Sequence, residues 1–200
     1  MARAGLTPER LTREGADLAD EVGLDQATLS ALARRCGVRV ASLYSHVRNS
    51  RDLRTRITLL ALEELAGRSA DALAGRSGRD ALVALADAHR DYARAHPGRY
   101  AATQRPLDTE TAAHSAGVRH ARMTRALLRG YDIEEPEQTH AVRLLGSVLH
   151  GYVSLELGGG FDHSAPDSQQ SWTRTLDVLD HLLRNWPDAV PTSHEPTSHE

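Results

Sequence analysis

The 200 residues are 40% hydrophobic, 26% charged and 4% aromatic, a balance that describes a folded chain of one domain or two small ones and excludes an intrinsically disordered protein. A mean hydropathy of −0.46, no apolar run near the roughly 18 residues of a membrane span, no apolar core in the opening nine residues and the lone Cys36 predict no membrane span, no secretion signal, no internal disulfide and no multi-thiolate metal site, so the cytoplasm is the expected location. Charge is uneven: residues 1–56 hold ten Arg and seven acids, net +3, while residues 57–200 hold fourteen Arg and twenty acids, net −6.

Thr7 as cap, Pro8 at the first helical position, and Leu11, Leu18, Ala19 and Val22 at near-helical spacing predict a helix over 7–22, ended by Gly23. Thr28 as cap, with Leu29, Leu32, Ala33 and Cys36 on one stripe, predicts a second helix of about two turns that stops at Gly37-Val38. A third short helix is predicted over 39–46, and Asn49-Ser50 caps a long fourth whose stripe is Leu53, Ile57, Leu60 and Ala61. Across 34–56, Arg34, Arg35, Arg39, Arg48, Arg51, Arg54 and Arg56 face one acid, Asp52. All 24 basic residues are Arg, which reads as a coding bias, so the clustering carries more weight than the presence of Arg. A basic N-terminal module on an acidic body is expected when one end meets a polyanion.

Leu82, Leu85, Ala86, His89 and Tyr92 mark a helix over 77–95, ended by His96-Pro97-Gly98. A short piece over 98–103 leads through Arg105-Pro106 to a single predicted helix over 108–129, with Ala112, Ala116, Met123 and Leu127 inward. The helix predicted over 137–157 is apolar on two sides, with Leu145, Leu149 and Tyr152 on one and Leu144, Val148 and Leu155 on the other. It must be covered from both directions. After Gly158-Gly159-Gly160, the stripe Trp172, Leu176, Leu179, Leu183 and Trp186 defines a last helix. No segment alternates with the period of a strand, so the expected fold class is all-α. The tail over 188–200 carries Pro-Thr-Ser-His-Glu twice and is expected to be disordered.

No two His lie three or four apart in the helical region, and there is no Gly-x-Ser-x-Gly elbow, phosphate loop or dinucleotide fingerprint. No catalytic residue, metal or cofactor is expected, and Cys36 reads as a small inward thiol.

Three short helices in about fifty residues, with a Gly-containing turn between the second and third, match a helix-turn-helix, whose last helix enters the major groove. The stretch 28–49, ending Leu43-Tyr44-Ser45-His46-Val47-Arg48-Asn49, resembles the DNA-binding domain of TetR-type (tetracycline repressor-like) transcriptional regulators. Leu29, Leu32, Ala33, Val38 and Leu43 fix the two helices, and Gly37 allows the turn. Arg39, Val40 and Ser42 open the third helix, where Arg can fork onto guanine, Val can touch a thymine methyl and Ser can donate or accept. The resemblance implies that Tyr44 and His46 bond the DNA backbone, that Thr28 aims a hydroxyl at phosphate and that Arg48 adds charge. Ser45 joins this DNA-facing set where many members have an aromatic residue, and Ala41 stands where Gly or Pro is usual.

Leu149-His150-Gly151-Tyr152-Val153-Ser154-Leu155-Glu156-Leu157 resembles the His-Gly signature of one branch of TetR-type ligand domains, with Gly146 where a Trp is common. Gly146 and Gly151 are expected to let another helix approach closely. The resemblance implies a DNA-binding domain at 1–50 and a helical ligand-binding and dimerisation domain at 51–187. It also implies that the last two helices pair with a second copy, through Val148, Leu155, Trp172, Leu176, Leu179 and Leu183. The middle helices would enclose a pocket for a small-molecule effector, with candidate lining residues His89, Tyr92, Tyr100, His114, Met123 and Tyr131, joined by His150 and Tyr152. The expected function is a ligand-responsive regulator, a repressor released by its effector, bound as a homodimer to a palindromic DNA operator. The alternative is a helical small-molecule-binding or interaction protein without specific DNA binding, distinguished by the salt dependence of DNA binding; an all-α enzyme is a third class.

Overall fold

The computed structural model of the chain describes residues 5–187; the predicted tail at 188–200 lies outside them. Among the described residues every regular element is helical, and no helix is long and apolar enough to cross a membrane.

Helix α1 (Pro8–Val22) begins where Thr7 Oγ1 accepts from the Arg10 amide at 3.2 Å, with Pro8 in its first turn. After a 3₁₀ turn at Leu24–Gln26, Thr28 caps α2 (Leu29–Cys36) by accepting from Ala31 N at 3.2 Å. Gly37 ends α2 in the left-handed region at φ 66°, where a side chain would be strained.

The predicted third helix over 39–46 is instead a 3₁₀ turn at Val40–Leu43, closed by Ser42 N to Arg39 O (2.9 Å) and followed by His46 N to Leu43 O (2.9 Å). The Ser45 hydroxyl donates to Ser42 O at 3.0 Å. It thereby occupies the carbonyl to which an α-helix would direct the His46 amide.

Asn49 Oδ1 accepts from Asp52 N and Asp52 Oδ2 accepts from Arg48 N, both at 2.9 Å. This reciprocal cap starts the long helix α3 (Ser50–Leu73) and ties it to the preceding turn. Helices α4 (Gly78–Ala95) and α5 (Pro97–Thr103) follow.

The single helix predicted over 108–129 is two, α6 (Thr109–Ala113) and α7 (Ala116–Arg129). Ser115 causes the break: its hydroxyl donates to Ala112 O at 2.8 Å and accepts from Gly117 N at 3.3 Å, ending one helix and capping the next. Helices α8 (Glu137–Leu157) and α9 (Ser168–Arg184) complete the chain.

Two cores result. Leu11, Leu32, Leu43, Val47, Leu53 and Ile57 are inaccessible in the N-terminal one. The second forms around Leu65, Leu82, Leu128, Leu145, Val153 and Trp172. Helix α3 supplies both, with Leu53 and Ile57 in the first and Ala61 and Leu65 in the second. Packing therefore crosses the boundary drawn at residue 50.

The Trp172, Leu176, Leu179 and Leu183 stripe, expected at a subunit interface, is turned into the chain's own core, none of the four more than 4% exposed. Trp172 Nε1 donates to Asp87 at 2.7 Å, and Arg90, itself buried, holds Glu156 through two bonds of 2.8 and 2.5 Å and Gln169 at 2.7 Å. A buried guanidinium needs such bidentate pairing to offset its desolvation. It locks α4 to α8 and to the start of α9.

Apolar surface remains on the opposite faces, where Leu155 is 57% and Val178 51% exposed, while Val148 is half-buried against the core. A Cβ added at Gly146 or Gly151 meets no atom within 4 Å, so neither glycine serves a close approach within the chain. That role falls to Gly98, where a Cβ would lie 2.1 Å from the Ala19 carbonyl carbon.

Candidate functional site

At the N-terminal end, the backbone turn and the caps fix which side chains face outward. Arg39 is exposed at the start of the 3₁₀ turn, and among the described residues no ion pair or hydrogen bond engages its guanidinium. Ser42, Ser45 and Arg48 are exposed, Tyr44 is 57% exposed and His46 is half-buried. Val40 is also half-buried and packs on the N-terminal core with Val38 and Cys36, so part of its surface is spent on the fold. Thr28 accepts a backbone amide through Oγ1, which leaves its hydroxyl proton to donate.

The basic cluster is thinner than the sequence count. Arg35 pairs with Glu14 (2.9 Å) and Glu21 (2.7 Å) of α1, which hold its guanidinium more firmly charged, and Arg56 pairs with Asp52 at 3.1 Å. These two charges are committed to structure. Arg34, Arg39, Arg48 and Arg51 are exposed and, among the described residues, make no ion pair.

In the second core, α3, α4, α5, α7 and α8 leave a cavity of about 280 Å³. Leu62, Leu65, Leu85, Val142, Leu145 and Leu149 supply its apolar wall, and His89, Tyr100, Thr103, Gln104, His120, Thr124 and His150 are its polar members. Of the side chains expected there, His89, Tyr100 and His150 line it. The other five lie elsewhere for local reasons. The Tyr92 hydroxyl donates to Glu64 (2.8 Å), Tyr131 to Asp180 (2.7 Å) and Tyr152 to Ser168 O (2.6 Å). His114 is exposed, its Nδ1 2.8 Å from Glu110 O, and Met123 lines a separate groove beside Leu73 and Ala74.

The residues missed are those of α7. Gly117, His120, Ala121 and Thr124 form one face of that helix, whereas the stripe read as inward was Ala112, Ala116, Met123 and Leu127. His89 and His120 meet edge to face with ring centres 4.7 Å apart. Burial pushes His89 down, and burial together with His89 pushes His120 down to about 4. Both rings are neutral near pH 7. Tyr100, pushed up to about 12 by burial, stays a phenol, its oxygen 3.0 Å from His150 Nδ1.

Comparison with known proteins bears on both regions. Residues 82–179 match the family described as tetracyclin repressor-like, C-terminal domain. Over 167 residues, 82% of this chain and 77% of the relative, the sequence is 33% identical to an uncharacterised HTH-type transcriptional regulator of Mycobacterium tuberculosis. It is 32% identical over 181 residues to the HTH-type transcriptional regulator YobS of Bacillus subtilis, covering 90% of this chain and 88% of that one. The chain belongs to the TetR family of helix-turn-helix transcriptional regulators.

Solved structures share the fold of this TetR-family chain. A TetR variant of Acinetobacter baumannii AYE in complex with minocycline superposes with a TM-score of 0.70 at 21% identity, over 92% of this chain and all of that one (100%). ActR from Streptomyces coelicolor in complex with actinorhodin does so with a TM-score of 0.68 at 18% identity, over 93% and 100%.

In this TetR-family chain, α5 lies between reader and cavity. Tyr100, Thr103 and Gln104 at its end face the cavity, whereas Ala102 belongs to the N-terminal core. Thr58 Oγ1 of α3 donates to Ala102 O at 3.1 Å. The Arg99 amide donates to Asp20 of α1 at 2.8 Å, and its guanidinium pairs with Asp17 and with Glu64 (3.4 Å). His96 Nδ1 stands 3.1 Å from the same Asp20. With Gly98 seated on the Ala19 backbone, α5 cannot shift without moving α1 or breaking these contacts.

Proposed function

We propose that the chain is a repressor that binds a two-fold symmetric DNA operator as a homodimer and is released when a small molecule fills the cavity beside α5. The observation that carries this reading is the placement of α5, which has one end in the cavity wall and the other keyed into α1. Arg39 and Ser42 supply base-edge contacts, and Thr28, Tyr44, His46 and Arg48 supply backbone contacts that set register. Ser45, whose hydroxyl is engaged with Ser42 O, offers its remaining lone pairs and small size at the same surface.

Dimerisation uses the outer faces of α8 and α9, where Leu155 and Val178 are exposed and Gly151 leaves room for a neighbouring helix. Two readers must sit about 34–36 Å apart to enter successive major grooves. A ligand that favours a different α5 position acts by its differential affinity for the two spacings, and moving a 1:99 population to 99:1 takes about 5.5 kcal/mol of such preference.

Selection of the purified protein on random-sequence duplexes tests the reading. A selected site with two inverted half-sites about one helical turn apart is expected. A pool that enriches no sequence would overturn it.

A further inference from the structure

Resting on the reading of the cavity as the effector site, the wall chemistry narrows what the effector is. Among the described residues no carboxylate or guanidinium lines the cavity. A charged ligand entering it would lose its hydration without gaining a counter-charge. The volume, about 280 Å³, sits at the small end of the roughly 300–1,000 Å³ usual for ligand pockets, which suits one or two fused rings.

The hydrogen-bonding groups are also specified. His89 Nδ1 lies 2.8 Å from the Leu85 carbonyl, which can only accept, so Nδ1 carries the proton. The neutral ring then holds its lone pair on Nε2, and among the described residues nothing donates to it. Tyr100 and His150 satisfy each other across 3.0 Å. The cavity thus has an unfilled acceptor at His89 Nε2, with the His120 ring, whose buried Nδ1 also has no partner, standing edge to face beside it. We infer that the effector is an uncharged, largely apolar ring compound carrying a hydroxyl that donates to His89 Nε2.

The test uses four probes of one shape, 2-naphthol, 2-methoxynaphthalene, 2-naphthoate and 2-naphthylmethylammonium, titrated calorimetrically into the full chain without DNA. 2-Naphthol is expected to bind one per chain, its methyl ether roughly fivefold or more weakly for want of the donated hydrogen bond, and the two ions without saturation. In His89→Leu the two probes, naphthol and its ether, should bind with equal affinity. Equal binding of naphthol and ether by the wild-type chain overturns the inference, as does tighter binding of either ion, or binding of none of the four by protein that still holds DNA. Naphthol binding that leaves a DNA complex intact supports the inference on ligand chemistry and overturns the release mechanism instead, so the two failures are distinguishable.

Discussion

Arg39 emerges beside the turn with its guanidinium unpaired among the described residues, whereas Arg35, four positions earlier in the same basic run, is held by Glu14 and Glu21. Replacing Arg39 with Ala should relax preference at one base position and cost roughly 1–3 kcal/mol on the best site, while Tyr44→Phe should weaken binding nearly evenly across sequences; binding measured on a set of single-base variants of the site separates the two. A second residue-scale prediction concerns His120. Its folded form is neutral, pushed down from the ordinary 6.5 to about 4, so between those pH values the unfolded chain binds more protons than the folded one. Stability should therefore fall as pH drops from about 6.5 to 4, by at most on the order of 3 kcal/mol from this ring. His120→Leu should flatten that part of a Tm-against-pH curve, and an unchanged slope would contradict the assignment. At this scale the caps were legible, since Thr7, Thr28 and Asn49 act within three residues of themselves. The fates of Arg35 and Tyr92 were not, because their partners lie on other helices.

Helix α5 is seven residues long and belongs to two cores, and Gly98 is what lets it do so. A methyl group there would sit 2.1 Å from the Ala19 carbonyl carbon, with backbone rather than a flexible side chain in the way. Gly98→Ala should cost at least the roughly 1–3 kcal/mol typical of overpacking in denaturant unfolding, and it should alter DNA affinity although residue 98 is not among the side chains proposed to touch DNA. Wild-type stability and DNA affinity in this variant would show that α1 and α5 are not coupled. Helices α1, α4 and α8 were readable from period and caps. The division of α6 from α7 was not, because it depends on one Ser115 hydroxyl serving two helix ends. The shortening of the third helix into a 3₁₀ turn was not legible either, since it is a matter of the His46 amide bonding Leu43 O rather than Ser42 O. The α7 face with His120 and Thr124 was not legible because its residues are small or polar and leave no apolar stripe.

The whole molecule is two helical cores threaded on α3, with apolar surface left on the outer sides of α8 and α9. Helices α8 and α9 were both legible, but periodicity marks an apolar stripe without telling whether the chain itself or a second copy covers it. Leu183 turns out to be fully covered by the chain, whereas Leu155 is left 57% exposed. Leu155→Glu should therefore give a folded monomer in sedimentation velocity, with much weakened operator binding. Leu183→Ala should instead lower stability by roughly 2–5 kcal/mol without dissociating the dimer. The reverse pattern would place the interface on the other face of α9. The most direct test of the account is fluorescence anisotropy of the full chain on its selected duplex and on a scrambled one, over a salt series. Two chains per duplex, or a multiple, with affinity for the selected site far above the scrambled one and falling steeply with salt, is the predicted result. Equal binding of both duplexes, or binding by a single chain, would contradict it.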